Sequence, residues 1–165
     1  MNVSSSTIRR WIKTLQSLFY CFTIQPWSKN LTRSLMKEPK TYLWDWVDVK
    51  EDGLRMENLV AAHLLKAVNY WTDCGLGYYD LWFIRDKEKR EVDFLVSRDK
   101  KPWLMIEIKL SSKGGISKNL LYFQSKIKAE HVIQVVFDMD YIDKNCFHAS
   151  RPIIVPAQTF LSQLV

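Results

Sequence analysis

The chain has 165 residues, of which 47% are hydrophobic and 13% aromatic, and its formal net charge is +6. This length suits one domain, or a small domain with an appendage, and the hydrophobic fraction excludes a wholly disordered chain. The positive charge mildly favours a polyanionic partner such as nucleic acid. The three cysteines, Cys21, Cys74 and Cys146, are widely spaced and form no CxxC pair, which argues against a disulfide framework and a zinc cage.

Neither a secretory signal nor a membrane span is predicted. The apolar run LFYCFTI, residues 18–24, is too short to cross a bilayer, so we expect a cytoplasmic protein without a membrane partner. The five glycines form no GxxxxGK or GxGxxG pattern, so the sequence predicts no ATP site in this chain.

The first 52 residues combine one helix with one strand. Residues 4–22 begin with serine and threonine caps and carry apolar side chains at helical spacing, and KTYLWDW, residues 40–46, indicates a short strand. A helix, a strand, a basic loop and a strand form the back half of a winged helix, so we predict a partial winged-helix-like segment over 1–52. An amphipathic surface helix is the alternative. The basic residues of the helix, Arg9, Arg10 and Lys13, are candidates for nucleic-acid binding.

The rest of the chain, 53–165, predicts a second unit that alternates helices and strands. The predicted order is a helix from residue 54, strands over 78–85, 91–98 and 102–110, a helix over 117–128, a strand over 131–138, and a final strand and helix. The links between the first three strands are of hairpin length, whereas the fourth strand follows a helical crossover. We therefore expect an α/β (α+β) fold whose mixed sheet is flanked by helices, in the order αβββαβ.

Strand alternation brings three charged side chains together. In EVDFLV it places Glu91, Asp93 and Leu95 on one face and Val92, Phe94 and Val96 on the other; in WLMIEIKL it places Met105, Glu107 and Lys109 on one face and Leu104, Ile106 and Ile108 on the other. If the two strands pair, the apolar faces share the core. Asp93, Glu107 and Lys109 then meet at one end of the sheet.

Two converging carboxylates repel each other when both are ionised, so a cation is needed to keep both charged. Carboxylate oxygen ligands suit Mg²⁺ or Mn²⁺. A bound metal can activate water and neutralise a phosphoryl oxygen, and a neighbouring lysine can orient that water. Asp93, Glu107 and Lys109 thus make a plausible site for phosphodiester hydrolysis. The alternative is a surface salt bridge between Lys109 and a neighbouring acid.

These residues resemble the PD-(D/E)xK nuclease superfamily, in which an Asp is followed by an (D/E)xK triplet on the next strand. Here thirteen residues lie between Val92–Asp93 and Glu107–Ile108–Lys109. The resemblance implies a restriction-endonuclease-like core over 53–165, with Asp93 and Glu107 as metal ligands and Lys109 positioning water. It also implies a metal ligand or supporting acid at Glu57, a catalytic orienting residue at Gln124, and a nucleic-acid contact at Lys118.

A narrower resemblance covers nearly the whole chain. STIRRWIKTLQSLFYCF, EDGLRMENLVAAHLL, WFIRDKEKREVDFLV and LMIEIKLSSK are similar to the C-terminal region, catalogued as a domain of unknown function, of a large group of prokaryotic AAA+-type ATPases. That resemblance implies a winged-helix portion leading into a nuclease-like domain, normally behind an ATPase module. The chain departs from the pattern because it contains no Walker motif.

The leading hypothesis is a metal-dependent DNA endonuclease-like domain detached from such an ATPase. The alternatives are a non-catalytic nucleic-acid-binding module and a regulatory module that joins an ATPase or forms homo-oligomers. In the binding alternative, further basic clusters would meet phosphates: Lys29, Arg33, Lys37 and Lys40, the loop 87–90, and Lys100 with Lys101.

Overall fold

A computed structural model describes residues 3–28, 38–148 and 152–165. The helices within these ranges are α1 (Ser5–Ser17), α2 (Asp52–Asp73), α3 (Lys118–Ile127) and α4 (Ala157–Leu161). The strands are β1 (Cys21–Pro26), β2 (Lys40–Leu43), β3 (Tyr79–Arg85), β4 (Glu91–Arg98), β5 (Lys101–Lys109), β6 (His131–Val136) and β7 (Ile153–Pro156).

The strands form one mixed sheet in the order β2-β1-β3-β4-β5-β6-β7. Strands β3, β4 and β5 are antiparallel neighbours, and β6 runs parallel to β5 after the α3 crossover. The α/β fold class, the hairpin links and the parallel fourth strand are thus confirmed. The short tail strand β7 continues the parallel part of the sheet beside β6.

The N-terminal helix is shorter than the sequence predicted. Helix α1 ends at Ser17, Phe19 adopts a left-handed φ of 55°, and β1 begins at Cys21. The run from Phe19 to Ile24 is rich in aromatic and β-branched residues, which pack better on a pleated surface than in a helix. Gln25 and Pro26 also belong to β1.

The N-terminal strands extend the central sheet. Strand β1 pairs antiparallel with β2 on one side and parallel with β3 on the other. Helix α2 caps the edge of β2, since the Asn58 side chain accepts a hydrogen bond from Leu43 N at 2.8 Å and donates one to Leu43 O at 2.7 Å. Such side-chain pairing satisfies backbone groups that an edge strand would otherwise expose. The division at residue 52 stays a prediction.

Both faces of the sheet are covered. One face packs on α2 and α4, with Leu64, Phe94, Ile106 and Phe160 fully buried. The other packs on α3, with Leu95, Met105 and Leu120 fully buried. The acidic residues Asp93 and Glu107 belong to neither of these two apolar clusters.

A β-bulge in β4 changes the predicted alternation. Trp82 of β3 pairs with Leu95 and Ile84 pairs with Val92, so the two residues Asp93 and Phe94 lie opposite one residue of β3. Val92 therefore packs with Leu95 on the α3 side, and its predicted place beside Phe94 is wrong. Bulges bend a strand and re-aim side chains, and this one occurs at the first predicted acid.

Helices of membrane-spanning length and hydropathy are absent from the described part of the chain.

Candidate active site

Asp93 lies in the bulge, where β4 and β5 separate. The two strands pair up to Phe94 and Ile106, and beyond that pair the Asp93 carboxylate accepts a hydrogen bond from the Ile108 backbone N–H at 2.7 Å. Burial raises the pKa of Asp93 to about 7, and the nearby carboxylates of Glu107 and Glu57 add to the shift. An aspartate with so high a pKa needs additional positive charge to stay ionised at neutral pH.

Glu107 is buried near the end of β5 and only 5% exposed. Its Oε1 accepts hydrogen bonds from Lys109 Nζ at 2.8 Å and from Ser117 Oγ at 3.3 Å. Its Oε2 is buried with no hydrogen-bond partner. A carboxylate oxygen enclosed without a donor is costly, and such an oxygen is a suitable ligand for a cation.

Lys109, the third residue of the predicted site, is the last residue of β5. Burial alone would lower the pKa of Lys109, but the hydrogen-bonded Glu107 carboxylate and nearby Asp93 outweigh it, so its pKa lies above the ordinary value. Its side chain is 45% exposed. The ammonium is therefore charged at neutral pH, held by Glu107, and open to solvent.

Ser117 and Gln134, two polar residues that the sequence analysis did not select, support Glu107. Gln134 of β6 lies beside Glu107 in register and is 1% exposed. Its amide accepts from Ser117 N and donates to Gly115 O, both at 2.8 Å, which fixes the start of α3 next to Glu107. The signal for Gln134 was present, because it is the only polar residue inside the apolar run VIQVV.

A second acidic cluster adjoins the first. Glu57 Oε1 accepts from Lys40 Nζ at 2.8 Å and from the Tyr42 hydroxyl at 2.7 Å, and Lys40 also pairs with Glu91. Burial and the Glu57 charge raise the pKa of Tyr42, so its hydroxyl remains a donor. Burial alone would lower the pKa of Lys40, but its carboxylate partners raise it above the ordinary value. Lys40, a candidate phosphate contact in the binding alternative, lies among these acids.

An open cleft borders Asp93 and Lys109, and buried Glu107 is not part of its lining. Its volume is about 250 Å³, and its wall joins the start of α2 to the ends of β4 and β5. The lining residues are Glu51, Gly53, Leu54, Glu57, Asp93, Ile108, Lys109 and Leu110. Enclosed small-molecule sites are typically about 300–1,000 Å³. This cleft is smaller and open to solvent, which suits a short segment of an extended molecule.

The donor set fits a hard divalent cation. Asp93 and Glu107 supply carboxylate oxygens, one of them unpartnered, and Mg²⁺ commonly takes one or two protein carboxylates and completes its shell with water. No group of three or more His, Cys, Asp or Glu side chains within 3–28, 38–148 and 152–165 has an arrangement that holds a metal by itself. Glu57 is occupied by Lys40 and Tyr42, so its predicted role as a metal ligand draws no support from its contacts.

The predicted residues of α3 take different positions. Gln124 Nε2 donates to Ala129 O at 2.9 Å and its Oε1 accepts from Ala129 N at 3.0 Å. Both ends of this amide thus hold the turn between α3 and β6, and the structure does not bring Gln124 to the acidic residues. Lys118 is exposed at the first position of α3, one residue after Ser117.

The predicted basic clusters are spread over the surface. Arg9, Arg10 and Lys13 are exposed on α1, where Arg9 and Lys13 line a groove of about 560 Å³ that contains none of the acidic site residues. The loop 87–90 joins β3 to β4 at the Asp93 end of the sheet, and Lys100 and Lys101 lie at the opposite end. Lys29, Arg33 and Lys37 fall outside the described residues.

Comparisons with known proteins bear on the family and leave the chemistry open. Neither curated proteins nor solved structures gave a match. Residues 1–46 match the sequence model of one domain of unknown function (DUF8612). Residues 52–152, which include Glu57, Asp93, Glu107 and Lys109, match that of another, and because this match covers more than half of the chain, the chain belongs to the family described as Domain of unknown function (DUF4143).

Proposed function

We propose that the chain is a metal-dependent DNA endonuclease-like domain that hydrolyses phosphodiester bonds. The observation that carries the proposal is the buried Oε2 of Glu107, which has no hydrogen-bond partner. Glu107 lies on the strand next to that of Asp93, and its other carboxylate oxygen contacts the Lys109 ammonium. A surface salt bridge, the alternative for this triplet, leaves both carboxylate oxygens in contact with water. Glu107 is instead almost fully enclosed.

Mg²⁺ or Mn²⁺ held by Asp93 and Glu107 would supply the Lewis acid and the metal-bound water that phosphodiester hydrolysis needs. The raised pKa of Asp93 fits this role, because a divalent cation would keep both acids ionised at neutral pH. Ile108 N–H orients the Asp93 carboxylate, and Ser117 and Lys109 orient that of Glu107. Fixed ligand orientation of this kind raises metal affinity.

Lys109 acts at the exposed edge of the site. Its ammonium is anchored on Glu107 and lines the cleft, so it can hold an attacking water or the charge that develops on the phosphate. The open cleft admits a polymer backbone, since an extended strand can cross it without being enclosed. The net charge of +6 adds a general attraction for such a polyanion.

Cleavage of supercoiled plasmid tests the proposal. Wild-type protein with Mg²⁺ or Mn²⁺ should convert the plasmid to nicked or linear forms, and EDTA should stop the reaction. Lys109→Met should lower the rate at least about 100-fold, because loss of one preorganised donor at the developing charge costs 10²–10³ in rate. Lys66→Met removes the same charge from an exposed position of α2 and should cleave at the wild-type rate.

Two results would contradict hydrolysis at this site. One is the absence of any cleavage with either metal on double- or single-stranded DNA. The other is equal loss of rate in Lys109→Met and Lys66→Met, since a general charge effect would then explain the decrease.

A non-catalytic interaction module of an ATPase is the second candidate, and α1 favours it. The helix buries none of its own residues, and Ile8, Trp11 and Leu15 are 45%, 52% and 38% exposed. Apolar side chains at this spacing are typical of a helix that packs against a partner. Sedimentation of wild type and Trp11→Glu across protein concentration tests this: self-association that the substitution abolishes supports homo-oligomers, and monomers throughout remove that form of the alternative.

A further inference from the structure

The loop between β5 and α3 lies next to the proposed site. It covers residues 110–117, which follow Lys109 directly and return to Glu107, where the Ser117 hydroxyl donates a hydrogen bond at 3.3 Å. Leu110, the first residue of the loop, also lines the cleft. A molecule that fills the cleft beside Lys109 and Leu110 is therefore adjacent to this loop.

The loop is fixed to the sheet near both of its ends. Near its start, Ser112 N–H donates a hydrogen bond at 2.9 Å to the carboxylate of Asp138, which follows β6. Near its end, the buried Gln134 amide donates to Gly115 O and accepts from Ser117 N, both at 2.8 Å. The tip of the loop, which lies between these anchors, is therefore held in a defined position beside the site.

The two glycines of the loop differ in what requires them. Gly115 adopts a φ of 65° and a ψ of −163°, a backbone conformation that residues with a side chain rarely take. Gly114 ends a short 3-10 helix, Ser112–Gly114, and its φ lies outside the left-handed region. A Cβ added to Gly114 would meet no atom within 4 Å. Neither backbone strain nor packing in the described part of the chain therefore requires glycine at position 114.

A missing side chain at an exposed position leaves the backbone open to close approach by another molecule. The neighbouring charge indicates the kind of molecule. Lys113, beside Gly114, is exposed and forms no ion pair with an acid of the described residues, whereas the Lys109 ammonium is held by Glu107. An ammonium without a carboxylate partner, next to open backbone, suits the phosphate of a polyanion.

We propose that the loop 110–117 binds the DNA backbone beside the phosphate that is cut. Gly114 lets the strand approach the loop backbone, and Lys113 pairs with one phosphate. This inference rests on the proposed function, because it takes the site of Asp93, Glu107 and Lys109 as the place of cleavage. The alternative is a turn that contacts only water, and in that case substitutions at its tip leave the DNA affinity unchanged.

Binding of a short DNA duplex in EDTA tests this surface without metal or cleavage. Lys113→Gln should reduce the slope of log K against log salt by about 1, because one phosphate contact is lost. Lys66→Gln removes the same charge from an exposed position of α2 and should leave the slope unchanged. An equal reduction in the two variants, or no reduction in Lys113→Gln, would overturn the pairing of Lys113 with a phosphate.

Gly114→Val tests the close approach of the strand. The new side chain enters open space, so the thermal midpoint should stay within about 2 °C of wild type. The Mn²⁺ affinity should stay within about threefold, since no residue of the metal site changes. The DNA affinity should fall at least about tenfold, which is what loss of a hydrogen bond to a charged group costs. Unchanged DNA affinity would overturn the proposal.

Gly114→Ala provides a second measurement if Gly114→Val lowers the thermal midpoint by more than this. It adds only the Cβ, and it should weaken DNA binding less than valine does but measurably more than Lys66→Gln. The failures of the two proposals are distinguishable. Loop variants that bind DNA like wild type, or a wild type that binds no DNA, would overturn the loop surface. Binding that depends on the loop, without cleavage by wild type, would instead refute hydrolysis.

Discussion

The Asp93 carboxylate accepts a hydrogen bond from the Ile108 backbone N–H at 2.7 Å. A side chain of β4 thus replaces the backbone acceptor that Ile108 would have if the pairing of β4 with β5 continued past Phe94 and Ile106. The bulge at Asp93 makes this exchange possible because it moves the β4 backbone away from β5. The separated strand ends leave room between Asp93 and the end of β5. That space opens into the cleft beside Lys109.

Metal-free protein should lose stability as the pH rises from about 4 to above 7. The pKa of Asp93 is raised to about 7 in the folded chain, against about 3.9 when unfolded, so the folded state binds the proton more tightly across this window. The associated stability is complete below pH 4 and lost above 7. A shift of this size is worth up to about 4 kcal/mol, measurable by urea unfolding at pH 5 and pH 8 in EDTA.

Asp93→Asn removes the titrating group and keeps an oxygen acceptor for Ile108 N–H. Its unfolding free energy should vary less with pH than that of wild type, and at pH 8 without metal it should be the more stable protein. Equal pH dependence in the two proteins would show that Asp93 ionises normally in the folded state.

Gln134 should be required for the stability of the α3 start. Gln134→Met keeps the volume but removes the hydrogen-bond partner of Ser117 N, which is partly buried, and of Gly115 O, which belongs to an exposed residue, so each lost hydrogen bond costs about 0.5–1.5 kcal/mol. Urea unfolding measures the loss. Gln158→Met on the exposed side of α4 should change the unfolding free energy by less than about 0.5 kcal/mol, and a similar effect of both substitutions would contradict the account.

Gln124→Met tests whether the side-chain amide of Gln124 in α3 has a structural or a catalytic role. Because both ends of Gln124 bond Ala129, the substitution should lower the unfolding free energy by about 1–3 kcal/mol. Cleavage per folded molecule should stay within about threefold of wild type. A rate loss of 100-fold with unchanged stability would instead restore the predicted catalytic role.

The basic residues of α1 should contribute to DNA affinity without affecting metal binding. Replacing Arg9, Arg10 and Lys13 together by Gln should weaken DNA binding in EDTA and reduce the slope of log K against log salt by about 2–3, if each residue meets one phosphate. The triple replacement of Lys66, Lys126 and Lys144 removes the same charge from other exposed positions. Equal effects of the two sets would mean that α1 is not a specific contact surface.

Much of the central fold could be predicted because its elements carry strong periodic signals. Strand β4 occupies the predicted residues 91–98, and β5 and α3 differ from prediction by one residue at each end. The end of α1 could not be predicted, because the aromatic run after Ser17 suits a helix and a strand equally by spacing. Packing on β2 and β3 decides between them.

The acidic pair was predictable in sequence, but the contacts that its supporting residues make were not. Strand alternation selected Asp93 and Glu107, although the bulge that positions Asp93 has no glycine or proline to announce it. Lys40 and Tyr42 reach the site only because β2 adds to the same sheet through β1, and Gln134 only because β6 pairs with β5. These long-range pairings are not encoded in local spacing.

The most direct measurement of the central claim is the thermal midpoint of wild type and Glu107→Gln as Mn²⁺ is added. At about 100 times the dissociation constant, a ligand that binds only the folded state stabilises it by about 2.7 kcal/mol, which is about 5–10 °C for a chain of this size. We expect that increase in wild type and less than about 1 °C in Glu107→Gln. No increase in wild type, or the same increase in both proteins, would contradict a divalent-cation site at Glu107.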